Sequence, residues 1–191
     1  MCGRYSLHAH PDVVRLQFGL DSVPDFQPHY NIAPQTEVLC IRKNLATFAR
    51  WGLRGKFVNL RAETATSKFR ASGRCLVPAS GFYEWQSTAG RRQPYYFFAA
   101  EDPLLGFAAL WERDSCTLIT TDAEGAVRKV HDRMPLIVAK EDYAAWLSGE
   151  KNVLEKKTEL RSHPVSLAVN TAANDSPRLI EPVELAPGLF D

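Results

Sequence analysis

No apolar run in these 191 residues approaches the roughly 20 needed to cross a bilayer, so a membrane-spanning helix is excluded. Internal repeats and low-complexity tracts are absent as well, which excludes solenoids and linker-like chains. Neither sign of charge dominates: 23 Lys and Arg stand against 22 Asp and Glu. A uniformly basic surface is therefore missing, although a local basic groove remains compatible with a neutral total. The four cysteines, Cys2, Cys40, Cys75 and Cys116, form no C-x-x-C and have no paired histidine spacing. That excludes a zinc ribbon and a disulfide framework, and it fits reduced thiols with no metal and no cofactor. The opening Met-Cys-Gly-Arg-Tyr-Ser-Leu carries Arg4 and no apolar stretch after it, so no signal peptide is expected here. A soluble cytoplasmic protein, monomeric and without membrane contact, is expected.

The chain is 45% hydrophobic and 24% charged, within the globular range, and long enough to bury a sizeable core. One domain spanning residues 1–191 is expected. Short segments, most of four to eight residues, rich in aromatic and β-branched types and bounded by Gly, Pro, Asn or Asp, predict strands. They fall at 3–7, 38–42, 47–52, 76–78, 82–86, 95–99, 106–112, 117–121, 136–138 and 165–170. Thr88, Ala89 and Gly90 predict a hairpin loop between the fifth and sixth of these. Helices are fewer: 12–18 after Pro11, 64–72, 141–147 ending at Gly149, and 152–160. Because strands and helices do not alternate, a doubly wound sheet is unsuitable. The predicted fold is α+β, with mainly antiparallel curved sheets forming a barrel-like core and a few peripheral helices. Cys40, Cys75 and Cys116 lie in apolar runs and read as core residues.

Cys2 has a different prospect. Removal of Met1 would leave it with a free α-amine of pKa about 7.7–8.0 and a thiol near 8.5 on one carbon skeleton. The amine can condense with an aldehyde to an imine, and the thiol can then close a five-membered thiazolidine. An internal cysteine cannot, because its nitrogen is an amide. Gly81-Phe82-Tyr83-Glu84-Trp85 sets a carboxylate among aromatics, where an apolar setting would raise its pKa toward that of a general acid at neutral pH. The same residue could equally face solvent. His131, in Val130-His131-Asp132-Arg133-Met134-Pro135, is a candidate proton shuttle or an ordinary surface histidine. Asn59 and Arg61 are two residues apart, and so share a face if extended.

Taken in order, these blocks resemble the SRAP family, the SOS-response-associated peptidases or abasic-site processing proteins. The resemblance runs through Met1-Cys2-Gly3-Arg4-Tyr5, Tyr30-Asn31-Ile32-Ala33-Pro34, Arg50-Trp51-Gly52-Leu53, Asn59-Leu60-Arg61-Ala62-Glu63-Thr64 and Arg74-Cys75-Leu76-Val77-Pro78-Ala79. It continues through Gly81 to Trp85, Phe107 to Glu112 and His131 to Pro135. The resemblance implies a sensor of abasic sites in single-stranded DNA that shields the lesion as a thiazolidine crosslink, with autoproteolytic and lyase side activities. It implies that Cys2 supplies both nucleophiles, Glu84 acts as general acid and base, His131 assists proton transfer, and Asn59 holds the amine or a sugar oxygen. Arg4, Arg61 and Arg133 would then grip phosphates, and Trp51 would stack on an exposed base.

The chain departs from the family pattern after Trp51-Gly52-Leu53, where the loop to Asn59 is short and lacks a Pro and a second Trp. Leu60 also replaces a usual small residue. Phe57 is then a candidate wedge between bases, and Arg54, Lys56, Lys68 and Arg70 are further basic candidates. Two other functions are compatible with the residues alone. One is a cysteine peptidase using the Cys2 thiol with His131 or Glu84; the other is a non-covalent single-strand-binding module.

Overall fold

The computed structural model describes residues 2–68, 73–88, 91–150 and 157–185. Thirteen strands occur among them. The first seven are β1 (Tyr5–Leu7), β2 (His29–Ile32), β3 (Glu37–Arg42), β4 (Leu45–Trp51), β5 (Asn59–Arg61), β6 (Gly73–Ala79) and β7 (Gly81–Thr88). The rest are β8 (Arg91–Ala99), β9 (Leu105–Glu112), β10 (Ser115–Asp122), β11 (Arg133–Pro135), β12 (Ile137–Val138) and β13 (Leu160–Pro164). The helices are α1 (Pro11–Phe18), α2 (Ala62–Lys68), α3 (Gly125–Arg128) and α4 (Tyr143–Ser148). No helix among the described residues is long and apolar enough to cross a membrane.

Five strands close into a barrel. The β3–β4 hairpin pairs from Glu37↔Arg50 to Arg42↔Leu45, and its two-residue turn places Lys43 at φ 53°. β3 meets β6 at Ile41↔Leu76, and β6 runs antiparallel to β9 over seven pairs. A second tight hairpin joins β9 to β10 at Glu112↔Ser115, with Arg113 at φ 56°. β10 then lies parallel to β4 through Ser115↔Arg50 and Cys116↔Trp51, which completes the ring. Where β4 ends, β5 takes over the same edge of β10, and β11 continues the edge that β9 leaves. Leu105 to Leu110 are buried without interruption, as an apolar run covered on both faces requires. Cys40, Cys75 and Cys116 are free thiols buried in this wall, as their apolar settings predict.

An antiparallel sheet ordered β13-β8-β7-β1-β2 packs against the barrel. Tyr5 meets Trp51 edge-on at 5.5 Å between ring centroids and Phe107 at 5.8 Å, while Phe82 meets Phe107 at 5.9 Å. These rings are fully buried, and each contributes roughly 1.5–3 kcal/mol by leaving water. Alternation sends Tyr83 to the other face, where Tyr83 and Tyr96 pack with Val165, Val169 and Leu179. Gly81 permits the close approach of β7 to its neighbours, because a Cβ there would lie 2.5 Å from the Phe97 carbonyl oxygen.

The curved antiparallel sheets, barrel-like core and peripheral helices agree with the fold class expected from sequence. Four short strands escape that expectation: β2, β5, β11 and β13. Residues 167–170 form a 3-10 turn where a strand was expected. Of the helix expected at 152–160, residues 152–156 lie outside the described residues, and Leu160 instead opens β13. β7 and β8 pair to Thr88↔Arg91; Ala89 and Gly90 of the expected hairpin loop lie outside the described residues.

Candidate active site

Cys2 stands just before β1, and β1 inserts between β7 and β2. Tyr5↔Phe82 pairing and the hydrogen bond from the Tyr83 amide to the Arg4 carbonyl, 3.0 Å, carry the chain end alongside Glu84. The barrel contributes from the other side. Asn59 opens β5, and its side-chain Nδ2 donates to the Cys2 carbonyl at 2.6 Å. Leu60 turns into the core while Arg61 is exposed, so Asn59 and Arg61 share one side of β5. His131 follows α3 and presents Nε2 3.9 Å from Glu84 Oε2. Cys2, Asn59, Glu84 and His131, distant in sequence, thus meet where the sheet joins the barrel.

Burial sets the protonation states. Glu84 is 1% exposed, and loss of water, reinforced by the negative charge of Asp132, pushes its carboxyl up to about 7 against the opposing pull of the N-terminal ammonium and, more weakly, of Arg92. Burial also drives the Cys2 thiol well above its ordinary range, with the Glu84 charge adding to the effect. Desolvation lowers the His131 imidazole, a shift that Asp132 partly opposes. His131 Nδ1 lies 2.9 Å from both the Arg133 amide and Asp132 Oδ1, while Nε2 faces Glu84. Near neutral pH the site therefore holds a half-protonated carboxyl, a neutral imidazole and an intact thiol. Asn59 Oδ1 is buried without a hydrogen-bond partner, leaving an acceptor in place for an N–H or O–H group.

Two residues expected at a DNA surface are elsewhere. Trp51 is wholly buried, with its indole N–H donating to the Val58 carbonyl at 2.9 Å. It packs the barrel against Tyr5 and offers no face for a base. Trp51→Ala is accordingly expected to cost about 3–5 kcal/mol of stability, read as a fall in the thermal midpoint. A stacking role would instead weaken strand binding and leave the midpoint unchanged. Arg133, 6% exposed, is held by Asp122 at 2.6 Å, Glu63 at 3.0 Å and the Thr120 carbonyl at 2.8 Å. In this arrangement it ties α2 to β10 and does not present its guanidinium to a phosphate. Its fixed backbone in turn orients His131.

Arg4 is half-buried: Nη1 donates to Asn31 Oδ1 at 2.7 Å and to the Val169 carbonyl at 2.8 Å. Among the other basic candidates, Arg54 pairs with Glu112 at 2.8 Å and Lys56 is exposed. The side chain of Lys68 and all of Arg70 lie outside the described residues. Phe57 is 38% exposed at the base of a tight turn whose Arg54 and Gly55 both have positive φ, 52° and 69°. Sequence reasoning missed Asp132 and Arg92, whose charges act on Glu84. Arg92 could have been found from the β7–β8 hairpin, since Ser87↔Arg92 pairing returns the chain beside the motif.

The description "SOS response associated peptidase (SRAP)" matches residues 1–172. The chain is 31% identical over 222 residues to the abasic site processing protein YoaM of Bacillus subtilis (strain 168), covering 95% of this chain and 98% of that protein. It is 26% identical to the abasic site processing protein YedK of Escherichia coli (strain K12), over 96% of this chain and 100% of that one. A crystal structure of a protein from Bacteroides thetaiotaomicron superposes with a TM-score of 0.82 at 20% identity, covering 96% of this chain and 100% of its own. That last likeness concerns the fold alone.

Proposed function

Because the chain belongs to the SOS response associated peptidase (SRAP) family, we propose that it captures abasic sites in single-stranded DNA through a thiazolidine on Cys2. The meeting of Cys2 with a buried carboxyl poised near pH 7 is the observation that carries this reading. Once Met1 is removed, the α-amine nitrogen adds to the aldehyde carbon of the ring-opened sugar and gives a carbinolamine. The Glu84 carboxyl donates its proton to the departing hydroxyl, so water leaves and a C=N bond remains. The nitrogen keeps its one hydrogen in the resulting iminium; the Cys2 sulfur then bonds to that carbon, its proton passes to the Glu84 carboxylate, and the C=N π pair returns to the nitrogen. The net change is loss of one water, and Glu84 returns to its starting state. His131, whose Nε2 faces Glu84, steadies the carboxylate during the exchange, and Asn59 Oδ1 accepts from the amine or a sugar hydroxyl.

The peptidase alternative fits less well, since a thiol-peptidase needs a ready thiolate and burial here favours the protonated thiol. The test is incubation of Met1-processed protein with a single strand bearing one abasic site, followed by a denaturing gel. A heat-stable shifted band is expected; its absence, with processing verified by mass spectrometry, overturns the proposal. The single-turnover rate should be highest near pH 7–8. Below that range the amine, of pKa about 7.7–8.0, is protonated. Above it Glu84, at about 7, has lost the proton that expels water.

A further inference from the structure

On β7, Trp85 points to the sheet face opposite Glu84, the face covered by residues 165–183. The cover stops short at one end and leaves a cavity of about 360 Å³ lined by Gly3, Arg4, Trp85, Arg92 and Asn170. Gly3 joins this cavity directly to Cys2. No carboxylate is among these described lining residues, whereas two guanidinium groups are. Arg4 is anchored through Nη1, yet its Nε–H is buried with no hydrogen-bond partner. A buried charged donor without an acceptor is costly, and it is matched by an anion. Arg92 is exposed, with its guanidinium carbon loosely placed 5.7 Å from the Trp85 ring centroid. The indole itself is fixed, because its N–H donates to Asn170 Oδ1 at 2.7 Å.

We infer that this cavity holds the intact nucleotide next to the abasic residue on the same strand, its phosphate between Arg4 and Arg92 and its base against the Trp85 indole. The inference rests on the abasic-site reading for its ligand. Its chemistry is that of a single-strand track, a cation for the backbone and an aromatic face tolerant of any base. It also supplies the base platform that buried Trp51 does not provide. As the base enters, the Arg92 guanidinium moves from the ring to the phosphate. The cavity takes no part in bond making, so its Trp85 platform governs how tightly the strand is held, while the charge of Arg92 also reaches Glu84.

The test separates binding from chemistry. Binding is read by fluorescence anisotropy with a single strand carrying a tetrahydrofuran abasic analogue, which has no aldehyde. Chemistry is read as the crosslinking rate against protein concentration with a true abasic strand. Arg92→Ala should weaken analogue binding about 5- to 10-fold and reduce the slope of log affinity against log salt by about one. Trp85→Ala should weaken it about fivefold or more. Trp85→Phe, which keeps a ring and the fold, should lose less. For the two Trp85 variants the half-saturating concentration in crosslinking should rise with the saturated rate kept within about threefold; Arg92→Ala is judged on binding and salt slope alone, because its charge also acts on Glu84. Unchanged binding and salt slope in Arg92→Ala and both Trp85 variants overturn the inference, even if the wild type crosslinks. A wild type that binds the analogue, weakens as described in the variants, and forms no crosslink supports the cavity and sinks the covalent reading. A wild type that does not bind the strand overturns both.

Discussion

Cys2→Ala yields no heat-stable product with an abasic strand, yet it retains an imine that borohydride reduction can trap. The distinction follows from the two nucleophiles. Alanine at position 2 keeps a free α-amine after Met1 removal, so condensation with the aldehyde still proceeds. It lacks the sulfur that converts a reversible C=N bond into a ring. Cys2→Ser behaves similarly, because a hydroxyl is a far weaker nucleophile than a thiol at neutral pH. An uncleaved N-terminal extension with a blocked terminus gives the complementary result: the thiol is intact, the Cys2 nitrogen is an amide, and neither imine nor thiazolidine forms at Cys2. The measurement is a pair of denaturing gels, with and without reductant. A stable band of wild-type intensity in Cys2→Ala, or in the extended protein, would sink the proposed chemistry, and a band that survives only with the extension would favour a thiol reaction independent of the amine.

Glu84→Gln is expected to make the protein less active and more stable at once. Loss of a general acid and base costs roughly 10²–10⁴-fold in rate. The stability effect follows from proton linkage. Below about pH 4.5 the folded and unfolded chains both hold this proton, and Glu84 introduces no pH dependence. Between 4.5 and about 7 the folded chain holds it and the unfolded chain releases it, so stability falls as pH rises. Above about 7 the full penalty of a buried carboxylate is present. A rise from 4.5 to about 7 corresponds to about 3 kcal/mol at 1.36 kcal/mol per pH unit. Glutamine carries no charge and is free of that penalty. Denaturant unfolding at pH 8 and pH 5 should show the variant ahead by up to about 3 kcal/mol at the higher pH and by less at the lower. Equal stabilities at pH 8 would mean that Glu84 does not carry a buried charge there.

Much of this architecture was legible in the chain, for identifiable reasons. The barrel strands β3, β4, β6, β9 and β10 are made from apolar and β-branched runs, and they were found because each buries one face or both. β5 and β11 were not, because Asn-Leu-Arg and Arg-Met-Pro have no strand pattern of their own. They are extended only because β10 offers them its two edges. At 165–170, Val165 and Val169 were read as strand residues, but their spacing of four serves the turn that buries both against Tyr83.

The catalytic candidates were legible as residue types in motifs, though not as neighbours, since no local signal links position 2 to positions 59, 84 and 131. In β4 Ala49 and Trp51 are buried while Phe48 and Arg50 are exposed, so the alternation at this end of the strand turns the indole to the interior; Ala46, buried on the opposite parity, shows why the sequence alone did not settle it. Arg133 gave no sign either, as its acidic partners Glu63 and Asp122 come from different elements.

The placement of β1 inside its sheet, between β7 and β2, also has a consequence in time. Cys2 is the first of the four candidates to leave the ribosome and His131 the last, 129 positions later. The residues that cover Arg4, around Val169, come later still. At about 5–20 residues per second, roughly 6–26 s of synthesis separate Cys2 from His131. On the proposed chemistry, a chain that loses Met1 early would spend that interval as an ordinary exposed aminothiol, open to any aldehyde in its surroundings and without selectivity. Enclosure of Cys2 by the finished sheet therefore closes a window of indiscriminate reaction, and a chain slow to fold would be inactivated by small aldehydes before it ever met DNA.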